Sequence, residues 1–307
     1  MTVYLILCVF LAVLFGGGYY AYRICFFSPE KNRDHIPEIK GHQYDPYREE
    51  MRRLFKQLAD RPCETVSVVS REGLQLSGRY YHIKDGAPLA ICFHGYRSSP
   101  LTDFSGGSEF CFQLEQNVLL VDQRAHGSSQ GKTIGFGITE QHDVLTWIRY
   151  ALTRFGPDLK ILLYGISMGG ATVLMASSLP LPFNVKGIVA DCPYSSPKDI
   201  ILSVGKKLGY PSKLIWPFVI FGAKVFGGFD IRQTTAEKAV RSAQIPILII
   251  HGQDDTFVPC DMSRGIADAN PDLVQRSIIP GADHGISYLV DTKAYKAIVS
   301  DFMDRII

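Results

Sequence analysis

Leu159-Lys160-Ile161-Leu162-Leu163-Tyr164-Gly165-Ile166-Ser167-Met168-Gly169-Gly170-Ala171 is the stretch on which the reading turns. An apolar run suited to a buried strand ends in Gly-Ile-Ser-Met-Gly, and a helix-compatible segment, residues 171–178, follows. Strand, sharp turn and helix in that order are the setting in which G-x-S-x-G carries a nucleophilic serine. The turn predicts a strained backbone at Ser167, with Gly165 and Gly169 bare because side chains there would strike neighbouring backbone. The hydroxyl would stand at a helix N-terminus, whose free N–H groups favour nearby negative charge. The pentapeptide alone arises by chance about 0.1 times in a chain of this length, so its flanks decide its meaning. Without them Ser167 would be an ordinary helix cap.

Outward from this stretch the chain keeps one rhythm. Apolar runs at residues 89–93, 118–121, 161–164, 185–190, 245–250 and 274–279 alternate with helix-compatible segments. Runs without polar alternation are what strands buried on both faces look like, in a mostly parallel sheet with flanking helices. Ahead of them Val66 and Val68, the turn Arg71-Glu72-Gly73, then Leu74, Leu76 and Tyr80 predict two antiparallel strands. The fold class is therefore α/β. In open sheets of this kind, chemistry collects just past the C-terminal ends of the strands.

Each such end carries candidates. Residues 89–93 run into His94-Gly95-Tyr96-Arg97-Ser98. Acyl transfer to a serine puts negative charge on the former carbonyl oxygen, which two backbone N–H donors stabilise. Met168, directly after the nucleophile, supplies one, and Tyr96, in the loop after the third strand, is best placed for the other. Gly95 lets that loop approach closely, and His94 is expected to brace it by hydrogen bonding. In Asp122-Gln123-Arg124-Ala125-His126-Gly127-Ser128-Ser129, Asp122 and Arg124 are expected to hold a loop through charge-assisted bonds. His126 precedes the nucleophile and is not favoured as base.

The acid that orients the base should follow a later strand. His251-Gly252-Gln253-Asp254-Asp255-Thr256-Phe257-Val258-Pro259 offers two adjacent carboxylates. Beyond the last strand, Gly281-Ala282-Asp283-His284-Gly285 offers His284 as base, with Asp283 read as structural. The chain order would be Ser…Asp…His.

With these pieces in place the chain resembles the α/β-hydrolase superfamily over roughly residues 60–307. It is most similar to a membrane-tethered bacterial branch related to serine aminopeptidase-type and monoglyceride-lipase-type hydrolases. The matching pieces are His94-Gly95-Tyr96, Asp122-x-Arg124-x-His126-Gly127-x-Ser129, Gly165-Ile166-Ser167-Met168-Gly169, His251-Gly252-x-x-Asp255-x-x-Val258-Pro259 and Ala282-Asp283-His284. The usual Arg-Gly-His-Gly reads Arg124-Ala125-His126-Gly127 here. The resemblance assigns the triad acid to Asp255, leaving Asp254 as a turn residue. It implies a serine hydrolase that cleaves a carboxylic ester, lipid-like acyl esters included, through an acyl-enzyme and without metal or organic cofactor. A peptidase releasing N-terminal residues would usually need acidic groups in the cap, which carries only Asp199, Asp230 and Glu237. A non-catalytic binding protein would not be expected to keep Ser167, Asp255 and His284 together.

Such proteins often insert a cap between the sixth and seventh strands, here residues 195–242. Its segment 206–221 is strongly apolar with basic punctuation, and Pro211 and Pro217 predict short, broken helices. Its inner face would meet an acyl chain.

The N-terminus reads differently. Residues 3–27 are almost unbroken apolar sequence, and as a helix would span roughly 37 Å, enough for a bilayer. Tyr19, Tyr20, Tyr22 and Arg23 fall at one end, where rings and snorkelling cations sit among headgroups. A cleaved signal peptide would want a basic start and a small-x-small site, and neither is visible. Residues 1–27 are thus expected to be a transmembrane anchor, 28–60 a linker with one surface helix, and 61–307 the α/β-hydrolase domain. Arg23, Lys31, Arg33 and Lys40 follow the span, which predicts a cytoplasmic body.

Over 307 residues the formal net charge is +2, with 46% hydrophobic and 20% charged residues. That balance does not suggest nucleic acid as a partner. The seven cysteines are scattered, with no C-x-x-C or Cys/His cluster, so neither a disulfide framework nor a zinc site is supported.

Overall fold

The computed structural model describes residues 1–28 and 41–307. Lys31, Arg33 and Lys40, which entered the orientation argument, lie outside the described residues. Eight strands form one sheet: β1 (Glu64–Val69), β2 (Gln75–Tyr81), β3 (Leu89–Phe93), β4 (Asn117–Val121), β5 (Ile161–Ile166), β6 (Val185–Asp191), β7 (Ile247–Gly252) and β8 (Val274–Ile279). Their order is β1-β2-β4-β3-β5-β6-β7-β8. The β1–β2 and β2–β4 pairs are antiparallel and the rest parallel. β3, β4, β5 and β7 are buried almost throughout, as strands covered on both faces must be.

Among the described residues there are twelve α-helices: α1 (Thr2–Cys25), α2 (Arg48–Asp60), α3 (Pro100–Asp103), α4 (Ser105–Gln113), α5 (Glu140–Phe155), α6 (Met168–Ala176), α7 (Pro197–Lys207), α8 (Ser212–Val225), α9 (Ala236–Val240), α10 (Asp261–Asp268), α11 (Ser287–Val290) and α12 (Thr292–Ile306). On one face Trp147 of α5, Val173 of α6, Val240 of α9 and Ile266 of α10 pack on alternate strand residues such as Leu89, Ile91 and Phe93. On the other, Phe55 of α2, Phe110 of α4 and Phe302 of α12 cover Ala90, Cys92 and Leu162. The two side-chain sets follow from the two-residue period of a strand.

A third apolar cluster lies over the C-terminal edge of the sheet, where Tyr22 and Phe26 meet Phe136, Ile201, Val219 and Phe229. It joins the last turns of α1 to the cap helices α7 and α8. The closest approach of α1 to α8 is made by glycines. A Cβ on Gly222 would overlap Gly18 O, and one on Gly18 would overlap the Phe221 ring. Small residues permit this approach. Past the helix, Ile134 N–H donates to Phe26 O at 2.8 Å and Ser28 N–H to Lys132 O at 2.9 Å. The end of α1 is thus fastened into the body.

The cap departs from expectation at one point. Pro217 does not break a helix but lies inside α8, which runs on to Val225. A proline there forfeits one backbone bond to Lys213 O. The apolar packing of Phe218, Phe221 and Gly222 on α1 outweighs that loss. Pro211, by contrast, sits at the N-cap, where the chain can turn.

Residues 42–60 also pack on the body. A short 3-10 turn at His42–Tyr47 leads into α2, whose Leu54, Phe55 and Leu58 are buried against the sheet's second layer. Glu49 and Glu50 occupy its first turn, where they oppose the helix dipole favourably.

Candidate active site

Ser167 stands between β5 and α6 at φ 54° and ψ −113°, a conformation that L-residues avoid. The glycines around it have the reason that the sequence suggested. A Cβ on Gly165 would overlap Gly169 O, and one on Gly169 would overlap Phe93 O. The turn can therefore press the start of α6 directly against the end of β3.

Around Ser167 Oγ three side chains from three strand ends meet. His284 Nε2 is 3.0 Å from Ser167 Oγ, and His284 Nδ1 is 2.7 Å from Asp255 Oδ2. An ionised carboxylate only accepts, so Nδ1 carries the proton and Nε2 presents its lone pair to the serine hydroxyl. Asp255 Oδ1 accepts from Phe257 N–H at 2.8 Å and Val258 N–H at 2.7 Å. Burial pushes the Asp255 carboxyl upward, yet hydrogen bonds from His251 and His284 outweigh it and hold the group well below the usual carboxylate range. Asp254, the competing acid of the sequence, is exposed.

The loop carrying His284 is tied to the loop carrying Asp255. Asp283 Oδ1 accepts from Thr256 N–H at 2.7 Å and from His284 N–H at 2.6 Å. On the other side Tyr44 hydroxyl donates to His284 O at 3.1 Å. His284 is thereby held through both its backbone N–H and its C=O.

Tyr96 and Met168, the expected oxyanion donors, flank the same point. Met168 opens α6, so its N–H has no partner within the helix. The loop 94–97 lies alongside, with the Cβ direction of Gly95 reaching within 3.4 Å of Ser167 Cβ. His94 braces it as anticipated. Its Nε2 accepts from Gln123 N–H at 3.1 Å, so Nδ1 donates to Gly95 O at 2.8 Å. His126 Nε2 accepts from Arg97 N–H at 3.0 Å, which gives it a bracing place and not a basic one. Arg124 forms a bidentate pair with Asp143, both bonds 2.7 Å, and Asp122 Oδ2 accepts from Ser128 N–H at 2.9 Å.

Three neighbours were not singled out from the sequence. Asp103, half-buried at the end of α3, accepts from Gly95 N–H at 2.6 Å and Ser98 hydroxyl at 2.5 Å. It fixes the donor loop from behind. His251 Nε2 lies 3.2 Å from Asp255 Oδ2 and 3.0 Å from Val258 O, two acceptors, so this nitrogen carries a proton. Asp255 thus meets two imidazoles, both at Oδ2. Asp191, at the end of β6, is buried, and burial pushes its carboxyl up to about 6. Its backbone carbonyl receives Ser167 N–H at 2.8 Å. The strand-end position was the one signal available for Asp191, and none marked Asp103.

Cys192 Sγ lies with Asp255 and His284 in a group whose ligand atoms are within 4.8 Å of one another. Burial pushes this thiol well up, whereas a metal takes the thiolate. Asp255 and His284 already bind each other, so the group does not fit a metal centre.

A cavity of about 240 Å³ opens beside Ser167. Ile201 and Val204 of α7, Ile215 and Phe218 of α8, and Ala21 and Ile24 of α1 contribute to its wall. The cap contribution was expected and the α1 contribution was not. α1 is also gripped by the donor loop: Tyr96 hydroxyl donates to Cys25 O at 2.8 Å, and Arg97 Nη2 to Ile24 O at 2.8 Å and Phe27 O at 3.0 Å.

Sheet order, the turn at Ser167 and the helical insertion after β6 define an α/β-hydrolase-fold protein, and residues 91–213 match the α/β-hydrolase-fold family. Among curated proteins, the chain is 24% identical over 295 residues to the uncharacterized protein YqkD of Bacillus subtilis, covering 96% of this chain and 94% of that one. Among solved structures it is similar to the Pyrococcus furiosus esterase Pf2001, at TM-score 0.65 and 22% identity, over 90% of this chain and 99% of that one. It is also similar to Est1E of Butyrivibrio proteoclasticus, solved with ferulic acid, at TM-score 0.60 and 19% identity, over 78% of this chain and 98% of that one.

Proposed function

We propose that the protein is a serine hydrolase of carboxylic esters, with Ser167 as nucleophile, His284 as general base and acid, and Asp255 as the acid that orients it. The observation that carries this is the unbroken relay from Ser167 Oγ through His284 to Asp255, at 3.0 and 2.7 Å. In the first step Oγ attacks the ester carbonyl as its proton passes to His284 Nε2. The N–H groups of Tyr96 and Met168 take the negative charge on the carbonyl oxygen, at about 2.7–4 kcal/mol for each donor. Collapse expels the alcohol, protonated by His284, and leaves an acyl-enzyme. Water, deprotonated by the same imidazole, then releases the acid and restores the serine. No step requires a metal or cofactor.

An ester suits the pocket better than a peptide N-terminus. A free amine would call for a carboxylate, and among the described residues no acidic side chain lines the cavity. The esterase names among the structural neighbours favour the same choice. α1 is long and apolar enough to cross a bilayer, and we read it as a single anchor with the body on the cytoplasmic side.

Covalent labelling by a fluorophosphonate probe tests the nucleophile: wild type labels and Ser167→Ala does not. A wild type that fails to label overturns the reading. Peptide p-nitroanilide turnover exceeding p-nitrophenyl ester turnover would replace the esterase by a peptidase.

A further inference from the structure

We propose that α1 is a wall of the substrate pocket as well as an anchor, and that the substrate is a long-chain acyl ester drawn directly from the bilayer in which α1 stands. The inference rests on the hydrolase reading above and adds the substrate's source and the residues that select its chain.

The argument begins with length. Residues 2–13 of α1 are all exposed, and at 1.5 Å per residue this free portion measures about 18 Å. A bilayer's hydrocarbon core is about 30 Å thick. To cross it, α1 must also submerge the turns that contain Gly17, Gly18, Ala21 and Tyr22. Those turns are packed on α8, where a Cβ on Gly17 would strike the Phe218 ring and Gly18 lies against Gly222. The cap helix is therefore carried to the membrane surface with them.

The surface of the cap suits that place. Leu214 is 71% exposed and Val225 48% exposed near the two ends of α8. Lys213 and Lys224 sit beside them, as snorkelling cations do at an interface. Water would penalise these side chains and lipid would not. Ala21 and Ile24, from the submerged turns, face the cavity beside Ser167. An acyl chain lying along α1 can thus pass from the bilayer to the nucleophile without crossing water. The grip of Tyr96 and Arg97 on the last carbonyls of α1 holds that wall in register with the donor loop.

Full-length protein reconstituted in phosphatidylethanolamine/phosphatidylglycerol vesicles, with monopalmitoylglycerol as embedded substrate, tests the proposal. In the double variant Leu214→Glu/Val225→Glu, neither residue lines the cavity. Its hydrolysis of the embedded ester should fall at least tenfold, with p-nitrophenyl acetate turnover in detergent unchanged. Leu214→Asn serves as the milder form should the double variant lose fluorophosphonate labelling, and should fall in the same direction. Ala21→Trp should lower the ratio of dodecanoyl to butanoyl ester turnover at least tenfold. Wild-type rates on embedded ester in the Leu214 variants, or an unchanged chain-length ratio in Ala21→Trp, would overturn the proposal while leaving the hydrolase intact. Absence of labelling in the wild type would instead remove the hydrolase reading itself.

Discussion

Asp255→Asn is the substitution whose outcome the geometry dictates most closely. Oδ1 of Asp255 accepts two backbone N–H groups, from Phe257 and Val258. In the variant the amide oxygen must stay in that place, because turning the NH₂ there would bring donor against donor twice. The NH₂ then occupies the position of Oδ2, facing His284 Nδ1 across 2.7 Å. A donor at that point forces the imidazole into the other tautomer. Nδ1 accepts, Nε2 carries the proton, and Nε2 no longer accepts from Ser167. The loss that this tautomer error causes in serine-protease triads is about 10⁴-fold in kcat, or about 5.4 kcal/mol of barrier at 1.36 kcal/mol per decade. Folding should change little, since both backbone bonds survive and His251 keeps Val258 O as acceptor at 3.0 Å. A cost of about 1–3 kcal/mol covers the bond to Asp255 that His251 forfeits and the amide N–H that its own N–H then faces. The assay is kcat for p-nitrophenyl butyrate beside a thermal melt of the same preparation. A variant melting near wild type with activity within tenfold would refute the assignment of Asp255 as the orienting acid.

Gly169→Ala should fail to accumulate as folded protein, or melt many degrees lower, because its Cβ would overlap Phe93 O at the junction of β3 and α6; soluble yield and melting temperature check this. Arg124→Met leaves Asp143 buried without its bidentate partner and should cost about 3–5 kcal/mol in urea unfolding, much of it regained in Arg124→Met/Asp143→Leu. Asp191 binds its proton more tightly folded than unfolded, with its carboxyl raised from 3.8 to about 6. Its contribution is therefore complete below pH 4 and is lost as pH climbs through 6, about 3 kcal/mol in all at 1.36 kcal/mol per pH unit. Asp191→Asn should accordingly melt higher than wild type at pH 8, with the difference closing by pH 4; a difference independent of pH would contradict the assigned burial.

The strands were legible because burial on both faces writes itself as uninterrupted apolar runs: residues 89–93, 185–190 and 274–279 each lie on an observed strand. Ser167 was legible because its turn needs glycines at two fixed offsets. Asp254 and Asp255 could not be separated by their own neighbourhood, since adjacent residues in a loop differ only in which way the chain turns them. Asp103 and His251 act on residues only four to eight positions away, but which way those turns aim their side chains depends on the folded backbone and not on the residue types. Pro217 misled because the rule for an isolated helix ignores what packs beside it. The docking of α1 was hidden for the opposite reason: Gly17 and Gly18 weaken a lone helix and become a contact surface only when Phe218, Phe221 and Gly222 are brought against them.

Membrane anchors are commonly interchangeable parts, replaceable by any sufficiently greasy segment of the right length. On the anchor reading proposed above, the fastening of α1 removes that freedom here. Its outer half, residues 2–13, answers only to solvent class and can drift among apolar residues. Its inner half answers to Phe218, Phe221 and Gly222 on one side and to Tyr96 and Arg97 at its end. Grafting a foreign span in front of residue 28 would restore attachment but not the seam, and clipping the segment off would leave the face of α8 bare. The exposed ring of Phe221 would then make a shortened version of the chain prone to self-association, however intact the contacts of Ser167, His284 and Asp255.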